Sequence, residues 1–181
     1  PGYDPRGSIA MALAYATSDR GACHMRAWPV GQEAFGELDP FTPKGKAELV
    51  MNDQLTRSLR WSLAACEFYP ATPKRMAQLL SSALQMDYTE ADMTKIGSRI
   101  WTLTRLINVR EGFSRKDDDI PVRIAQDPLP EGPAKGHIVS QANLDKMLTE
   151  YYRLLGWDDE GIPTRQTLWG LGLLDLQNLR S

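Results

Sequence analysis

Thr72-Pro-Lys-Arg-Met-Ala-Gln-Leu-Leu-Ser-Ser-Ala-Leu84 is followed, after a short break, by Thr89-Glu-Ala-Asp-Met-Thr-Lys-Ile-Gly-Ser-Arg-Ile-Trp-Thr-Leu-Thr-Arg-Leu-Ile-Asn-Val-Arg-Glu-Gly112. These two stretches decide the fold class. In the first, Thr72 is an N-cap and Pro73 falls at the first helical position, where its missing N–H leaves no bond unmade. Met76, Leu79, Leu80, Ala83 and Leu84 then recur with the 3.6-residue period of a helix. In the second, Thr89-Glu-Ala-Asp is a capping box with Asp in the place of Glu. Met93, Ile96, Ile100, Leu103 and Ile107 form one stripe, and Gly112 supplies the stop.

The same reading extends outward. Ser8 to Thr17 is rich in Ala, Met and Leu on most sides, as expected of a buried helix. Residues 27–43 contain Pro29, Pro40, Pro43 and two glycines, which predicts an irregular connection. From Lys44 to about Ala65, the positions Leu49, Leu55, Leu59, Leu63 and Cys66 predict a long helix ending before Pro70. Residues 113–136, with Lys116-Asp-Asp-Asp, Pro121, Pro128, Pro130 and Pro133, are expected to be irregular. Ser140 to Leu155 returns to helix, with Leu144, Met147, Leu148, Tyr151 and Leu155 inward and Gly156 as the stop. Thr164 caps a last short helix ending near Gly170 or Gly172. No alternating strand pair and no repeat is present, so the fold is expected to be all-α and multihelical.

Composition narrows the function classes. The 181 residues are 42% hydrophobic and 24% charged, with a formal net charge of −2. The sequence pI near 5.7 argues against nucleic acid as a main partner, which calls for a surplus of Lys and Arg. No apolar run approaches the ~20 residues that span a bilayer. The opening residues have no signal-peptide pattern, so a cytoplasmic location is expected. The chain has no initiator Met and opens in turn chemistry, which reads as a processed or truncated piece of something larger. Its two cysteines, Cys23 and Cys66, suggest buried thiols or metal ligands more than a disulfide scaffold.

The chemistry-bearing residues concentrate between Tyr3 and Trp28. Cys23-His24 lies between Arg20 and Arg26, just after the small-residue helix. A cation-rich, Gly-punctuated loop with an imidazole suits the floor of a site for an anionic cofactor or substrate. His24 is read either as an acid–base group beside a carbonyl or as a loop histidine satisfied by backbone. Sequence neighbours point apart, which disfavours a Cys23–His24 nucleophile pair. Cys66, near a helix C-terminus, faces carbonyl ends that disfavour a thiolate, and an inert buried thiol is its default. The spacing of Cys23, Cys66, His24 and His137 matches no zinc unit. Four thiolates for a self-contained iron–sulfur cluster are lacking, although one Cys can complete a cluster whose other ligands lie elsewhere. Lys116 to Asp119 reads as a solvated turn, and Trp61, Trp101, Trp157 and Trp169 as packing anchors. No phosphate loop or nucleophile elbow is present.

Taken together, several segments resemble the C-terminal region of the tungsten-containing aldehyde ferredoxin oxidoreductase family. They are Tyr3-Asp-Pro-Arg-Gly7, Tyr15-Ala-Thr-Ser-Asp-Arg-Gly-Ala-Cys-His24, Cys66-Glu-Phe68 and Ile96-Gly-Ser-Arg-Ile-Trp101. Asn108-Val-Arg-Glu-Gly-Phe-Ser-Arg-Lys-Asp-Asp118 and Tyr151-Tyr-Arg-Leu-Leu-Gly-Trp-Asp-Asp-Glu-Gly-Ile-Pro163 complete the set, in order from end to end. The resemblance implies two helical subdomains, residues 1–70 with the His24 loop and Cys66, and residues 71–181. It implies that the N-terminal β-rich domain, which cradles the pterins and carries three cluster cysteines, is absent from this chain.

The resemblance further implies a tungsten (or molybdenum) bis-pterin and a [4Fe–4S] cluster in the complete enzyme, with none expected in this chain alone. Aldehydes would be oxidised to acids, with two electrons passed to ferredoxin. By position, Cys66 matches the fourth cluster ligand, His24 the histidine beside tungsten, and Arg26 a basic residue near the pterin. The family pattern before the last cysteine is Asp-x-x-Gly-Leu-Cys, whereas this chain reads Trp61-Ser-Leu-Ala-Ala-Cys66. Trp61 cannot act as the carboxylate acceptor for a pterin ring, and Ala65 is left to offer its backbone N–H and C=O. Two alternatives are a relative using the same centre on another substrate, such as an aromatic thioester, and a non-catalytic helical interaction module. A split-off enzyme part should present His24 and Cys66 on one open face, whereas a self-sufficient module should bury Cys66 in its core.

Overall fold

A computed structural model describes residues 2–69 and 71–175. Eight α-helices are found among the described residues: α1 (Ile9–Ala16), α2 (Val30–Ala34), α3 (Lys46–Ser62), α4 (Pro73–Leu84), α5 (Glu90–Arg110), α6 (Val122–Gln126), α7 (Gln141–Leu155) and α8 (Arg165–Gly170). Short 3-10 turns at Pro5–Gly7 and Arg115–Asp117 join them. Among the described residues there is no strand, only the isolated bridges Asp19–Gly21 and Trp157–Pro163. The fold is all-α. No described helix is long and apolar enough to cross a membrane.

The caps expected from the sequence are made. The Thr72 hydroxyl accepts from the Arg75 N–H, Thr89 and Asp92 close a reciprocal capping box, and Thr164 caps α8; Ser140 adds a cap to α7 beyond those expected. Gly156 ends α7 at φ +68°, a left-handed position that a side chain disfavours.

Helix α1 is buried along its whole length and packs against α3 and α7. Its Ile9 and Leu13 join Val50, Leu55, Trp101, Leu144, Met147 and Tyr151 in the main core. A smaller cluster of Leu59, Ala71, Met76, Ala77 and Met93 lies where α5 meets α3 and α4. One buried string of hydrogen bonds ties the main helices together. Trp101 Nε1 donates to the Tyr151 hydroxyl at 2.7 Å, which donates to Gln54 Oε1 at 2.5 Å. Gln54 Nε2 donates to the Thr17 hydroxyl at 3.0 Å, and Thr17 donates to the Leu13 carbonyl at 2.8 Å.

Several expectations are corrected by tertiary packing. The inward face of α5 is Met93, Gly97, Trp101, Thr102 and Arg105, whereas Ile107 is 44% exposed. The helix is turned because Gly97 lets it press onto α3. A Cβ at Gly97 would lie 2.5 Å from the Leu55 carbonyl oxygen. On α4, only Met76 and Ala77 are buried, and Leu79 and Leu84 lie outward. Helix α3 ends at Ser62, before Ala65.

The segments read as irregular contain short helices α2 and α6. In α2 the reason is a buried pair. The Glu33 carboxylate accepts from Ser8 and from the Ala10 N–H, and lies 2.6 Å from Lys46 Nζ. That anchoring overrides the breaker-rich composition. Asp118, read as part of a solvated turn, is buried and pairs with Arg105 at 2.8 Å. Trp169, read as an anchor, is 74% exposed.

Candidate functional site

The chain leaves α1 at Thr17 and runs through the loop that holds Arg20, Cys23, His24 and Arg26. Gly21 turns it at φ +93°. Arg20 Nη2 donates to Cys23 Sγ at 3.0 Å. Partial burial pushes the Cys23 thiol up, but the Arg20 bond and the backbone N–H groups of Met25 and Arg26 outweigh it and hold the thiol below its ordinary range. Cys23 is thus partnered by Arg20.

The half-buried His24 packs against the N-terminal strap. The Tyr3 ring meets it edge-on at 5.6 Å, and a Cβ at Gly2 would lie 2.9 Å from its Nδ1. Tyr3 is itself held by backbone bonds with the Tyr15 hydroxyl.

Arg26 is fixed on two sides. Its guanidinium lies 3.6 Å over the Trp61 ring, and its Nε is 2.9 Å from Asp19 Oδ1. Trp61, which stands where the resemblance implies an aspartate, therefore faces the guanidinium of Arg26.

The second segment begins where α3 ends. The Ala64 N–H bonds the Trp61 carbonyl at 2.9 Å, and the Ala65 N–H bonds the Arg60 carbonyl at 3.1 Å. This is a Schellman ending with Ala64, at φ +52°, in the position that normally takes glycine. The Ala65 N–H is engaged by the helix end, so any contact from Ala65 to a ligand rests on its carbonyl. Next comes Cys66, free and exposed, in contrast to the inert buried default. Phe68 beyond it is 88% exposed, and Leu63 and Tyr69 are also exposed.

The two segments meet on α3. Arg57 Nη1 donates to the Glu67 carboxylate at 2.6 Å and, over a longer 3.4 Å, to the Met25 carbonyl. Met25 follows His24 and Glu67 follows Cys66, so one guanidinium group bridges the neighbours of both. Arg60 adds bonds to the Glu67 carboxylate, the Glu67 carbonyl and the Ala71 carbonyl. Asp53 accepts from Arg57 Nε at 2.8 Å and from the Trp28 N–H. Sequence reasoning missed Arg57, Arg60 and Glu67; the i,i+4 pair Asp53–Arg57 was the one local signal available.

The first part of the His24 loop also walls a cavity of about 540 Å³ lined by Tyr15, Ser18, Arg20, Asn108, Phe113 and Ile120. Among the described residues, no group of three or more His, Cys, Asp or Glu is placed to hold a metal ion.

Residues 1–173 match the family described as "Aldehyde ferredoxin oxidoreductase, domains 2 & 3". The tungsten-containing aldehyde ferredoxin oxidoreductase of Pyrococcus furiosus is 36% identical over 182 aligned residues, covering 97% of this chain and 30% of the relative. That of Thermococcus kodakarensis is 35% identical over the same shares. The WOR-like subunit of an aliphatic sulfonate oxidoreductase from Pyrococcus furiosus is 36% identical over 86 residues, 45% of this chain and 14% of the subunit. Among solved structures, the active site complex BamBC of benzoyl coenzyme A reductase with 1,5-dienoyl-CoA superposes with a TM-score of 0.63. It does so at 22% identity, over 76% of this chain and 20% of that one, a likeness of fold alone.

This all-α chain, with its histidine loop and its cysteine turn on one helix, belongs to the aldehyde ferredoxin oxidoreductase family, in the region of domains 2 and 3. It spans about 30% of the length of the tungsten-containing relatives that it matches.

Proposed function

We propose that this chain forms the helical wall of a tungsten-pterin, iron–sulfur oxidoreductase that converts aldehydes to carboxylic acids and passes the electrons to ferredoxin. The observation that carries the reading is the bridge made by Arg57 between Met25 and Glu67, which puts the neighbours of His24 and Cys66 on one guanidinium. An exposed, free Cys66 on a turn fits a ligand for a partner lying outside this chain better than it fits a core thiol. The donor set supports the same view. With two thiols in its sequence and no clustered metal-binding group among the described residues, this chain would complete a cluster rather than hold one.

In this reading Cys66 is the fourth thiolate of a [4Fe–4S] cluster. A bound tungsten-pterin centre supplies the two-electron oxidation. His24 binds the aldehyde oxygen or takes up a proton as water adds to the carbonyl carbon. Arg26, oriented by Asp19 and Trp61, pairs through its free N–H groups with anionic groups of the cofactor. Ala65 contributes its carbonyl. The exposed Leu63, Phe68 and Tyr69 beside Cys66 suit burial under an N-terminal cofactor-binding domain.

The test is a protein carrying this chain together with such a domain. Cys66→Ser is expected to lower its iron content and leave tungsten bound. His24→Gln is expected to retain both metals and lose ~10²-fold or more in aldehyde oxidation, the usual worth of a general acid–base group. A protein binding neither metal, or a His24→Gln variant with undiminished turnover, overturns the proposal.

A further inference from the structure

We propose that Arg57 is a positioning residue that holds the His24 loop and the Cys66 turn in one frame. The proposal rests on the roles assigned above to His24 and Cys66.

The geometry is that of a clamp built on one face of α3. Asp53, one turn before Arg57, fixes the guanidinium through Nε at 2.8 Å. With that end fixed, Nη1 reaches the Glu67 carboxylate at 2.6 Å and the Met25 carbonyl at 3.4 Å. Arg60, nearly one turn further along α3, closes the clamp on Glu67 from the other side at 3.2 Å. The second Asp53 oxygen takes the Trp28 N–H, so the His24 loop is tethered at Met25 and again at Trp28.

These are not surface ion pairs of negligible worth. The side chains of Arg57 and Glu67 are each 12% exposed, and charge-assisted bonds withdrawn from water are the strong ones. Moving either loop away from α3 would strand a buried charge. The left-handed Ala64 also makes the Cys66 turn a conformation that needs holding. Arg57 is the one side chain of the clamp that touches both segments. Displacement of one loop is therefore felt by the other through a single group.

The clamp is also electrically balanced. Arg57 and Arg60 carry two positive charges against Glu67, the residue after Cys66, and Asp53 and Glu67 carry two negative ones. Neutralising Glu67 leaves an excess positive charge near the thiolate and should favour the more negative, reduced state of a cluster held there. Neutralising Arg57 does the opposite.

Two measurements separate the clamp from the functional reading. In this chain, Arg57→Met should speed amide hydrogen exchange at least tenfold in both segments 19–28 and 63–71, while α7 remains protected. Glu67→Gln, a milder change, should speed both segments in the same direction to a smaller extent. Acceleration confined to one segment in both variants, or absent from both, overturns the clamp.

In the metal-loaded protein, Glu67→Gln should raise the cluster midpoint potential by about tenfold in the reduction equilibrium, about 59 mV for one electron. Arg57→Met should lower it, whereas a purely structural residue would leave it in place. Unmoved potentials overturn the electrostatic part of the proposal. Coupled exchange in a protein that takes up no iron sustains the clamp and overturns the oxidoreductase reading.

Discussion

The guanidinium of Arg26 stacks on the ring of Trp61 at 3.6 Å. Where the resemblance implies a carboxylate, α3 offers a π face, and Arg26 takes its counter-charge from Asp19 at 2.9 Å. The cation is thus held between a π face on the last turn of α3 and a carboxylate on its own loop.

Arg26→Met is expected to destabilise the chain by about 1 kcal/mol, the worth of a partly buried cation–π contact. Urea unfolding followed by tryptophan fluorescence reads this directly. An unchanged unfolding midpoint would mean that the stack contributes nothing to stability.

Ala64 sits at φ +52°, where an L side chain crowds its own carbonyl. Ala64→Gly relieves this and is expected to raise stability by ~0.5–1 kcal/mol, part of the relief being offset by the greater chain entropy of glycine. The gain should be visible as a higher Tm. A loss of stability would show that the left-handed position is not strained.

Gly97→Ala should act in the opposite direction. Its methyl would lie 2.5 Å from the Leu55 carbonyl oxygen, backbone that cannot swing aside. A cost of roughly 1–3 kcal/mol is expected from forcing α5 away from α3. Chemical denaturation measures it, and a neutral outcome would mean that the two helices slide apart freely.

These elements show what was legible in the sequence. The local signals at Thr72, Thr89, Gly156 and Thr164 were legible because caps are made by residues within one turn of each other. The stripe on α5 was misread because Gly97 counts as no side chain in a periodicity argument, yet it sets which face of the helix approaches α3. Helix α2 was missed because Lys46 stabilises Glu33 from thirteen positions away. The loop bearing His24 was legible by composition. Its connection to Cys66 was not, because Arg57 acts through a backbone carbonyl and a carboxylate that no pattern joins.

Acidification should loosen the start of α5. The Thr89 side chain and N–H bond the Asp92 carboxylate and hold it below the usual carboxylate range. A depressed folded value means that the capping bond is fully in place above the unfolded value, about pH 4, and is lost as pH falls through the folded one. Protection of the amides at residues 89–93, taken relative to their intrinsic exchange rates, should therefore fall on going below about pH 4. In Asp92→Asn this dependence should disappear; a slope that persists would assign it elsewhere.

The buried string from Trp101 through Tyr151, Gln54 and Thr17 to the Leu13 carbonyl has a direction. An indole N–H can only give and a carbonyl can only receive, so every hydroxyl and amide between them is committed to one orientation. Replacing a middle member, as in Tyr151→Phe, would orphan a donor on one side and an acceptor on the other. The four side chains therefore form a single inheritable word: substitution preserves its sense only when several letters change together.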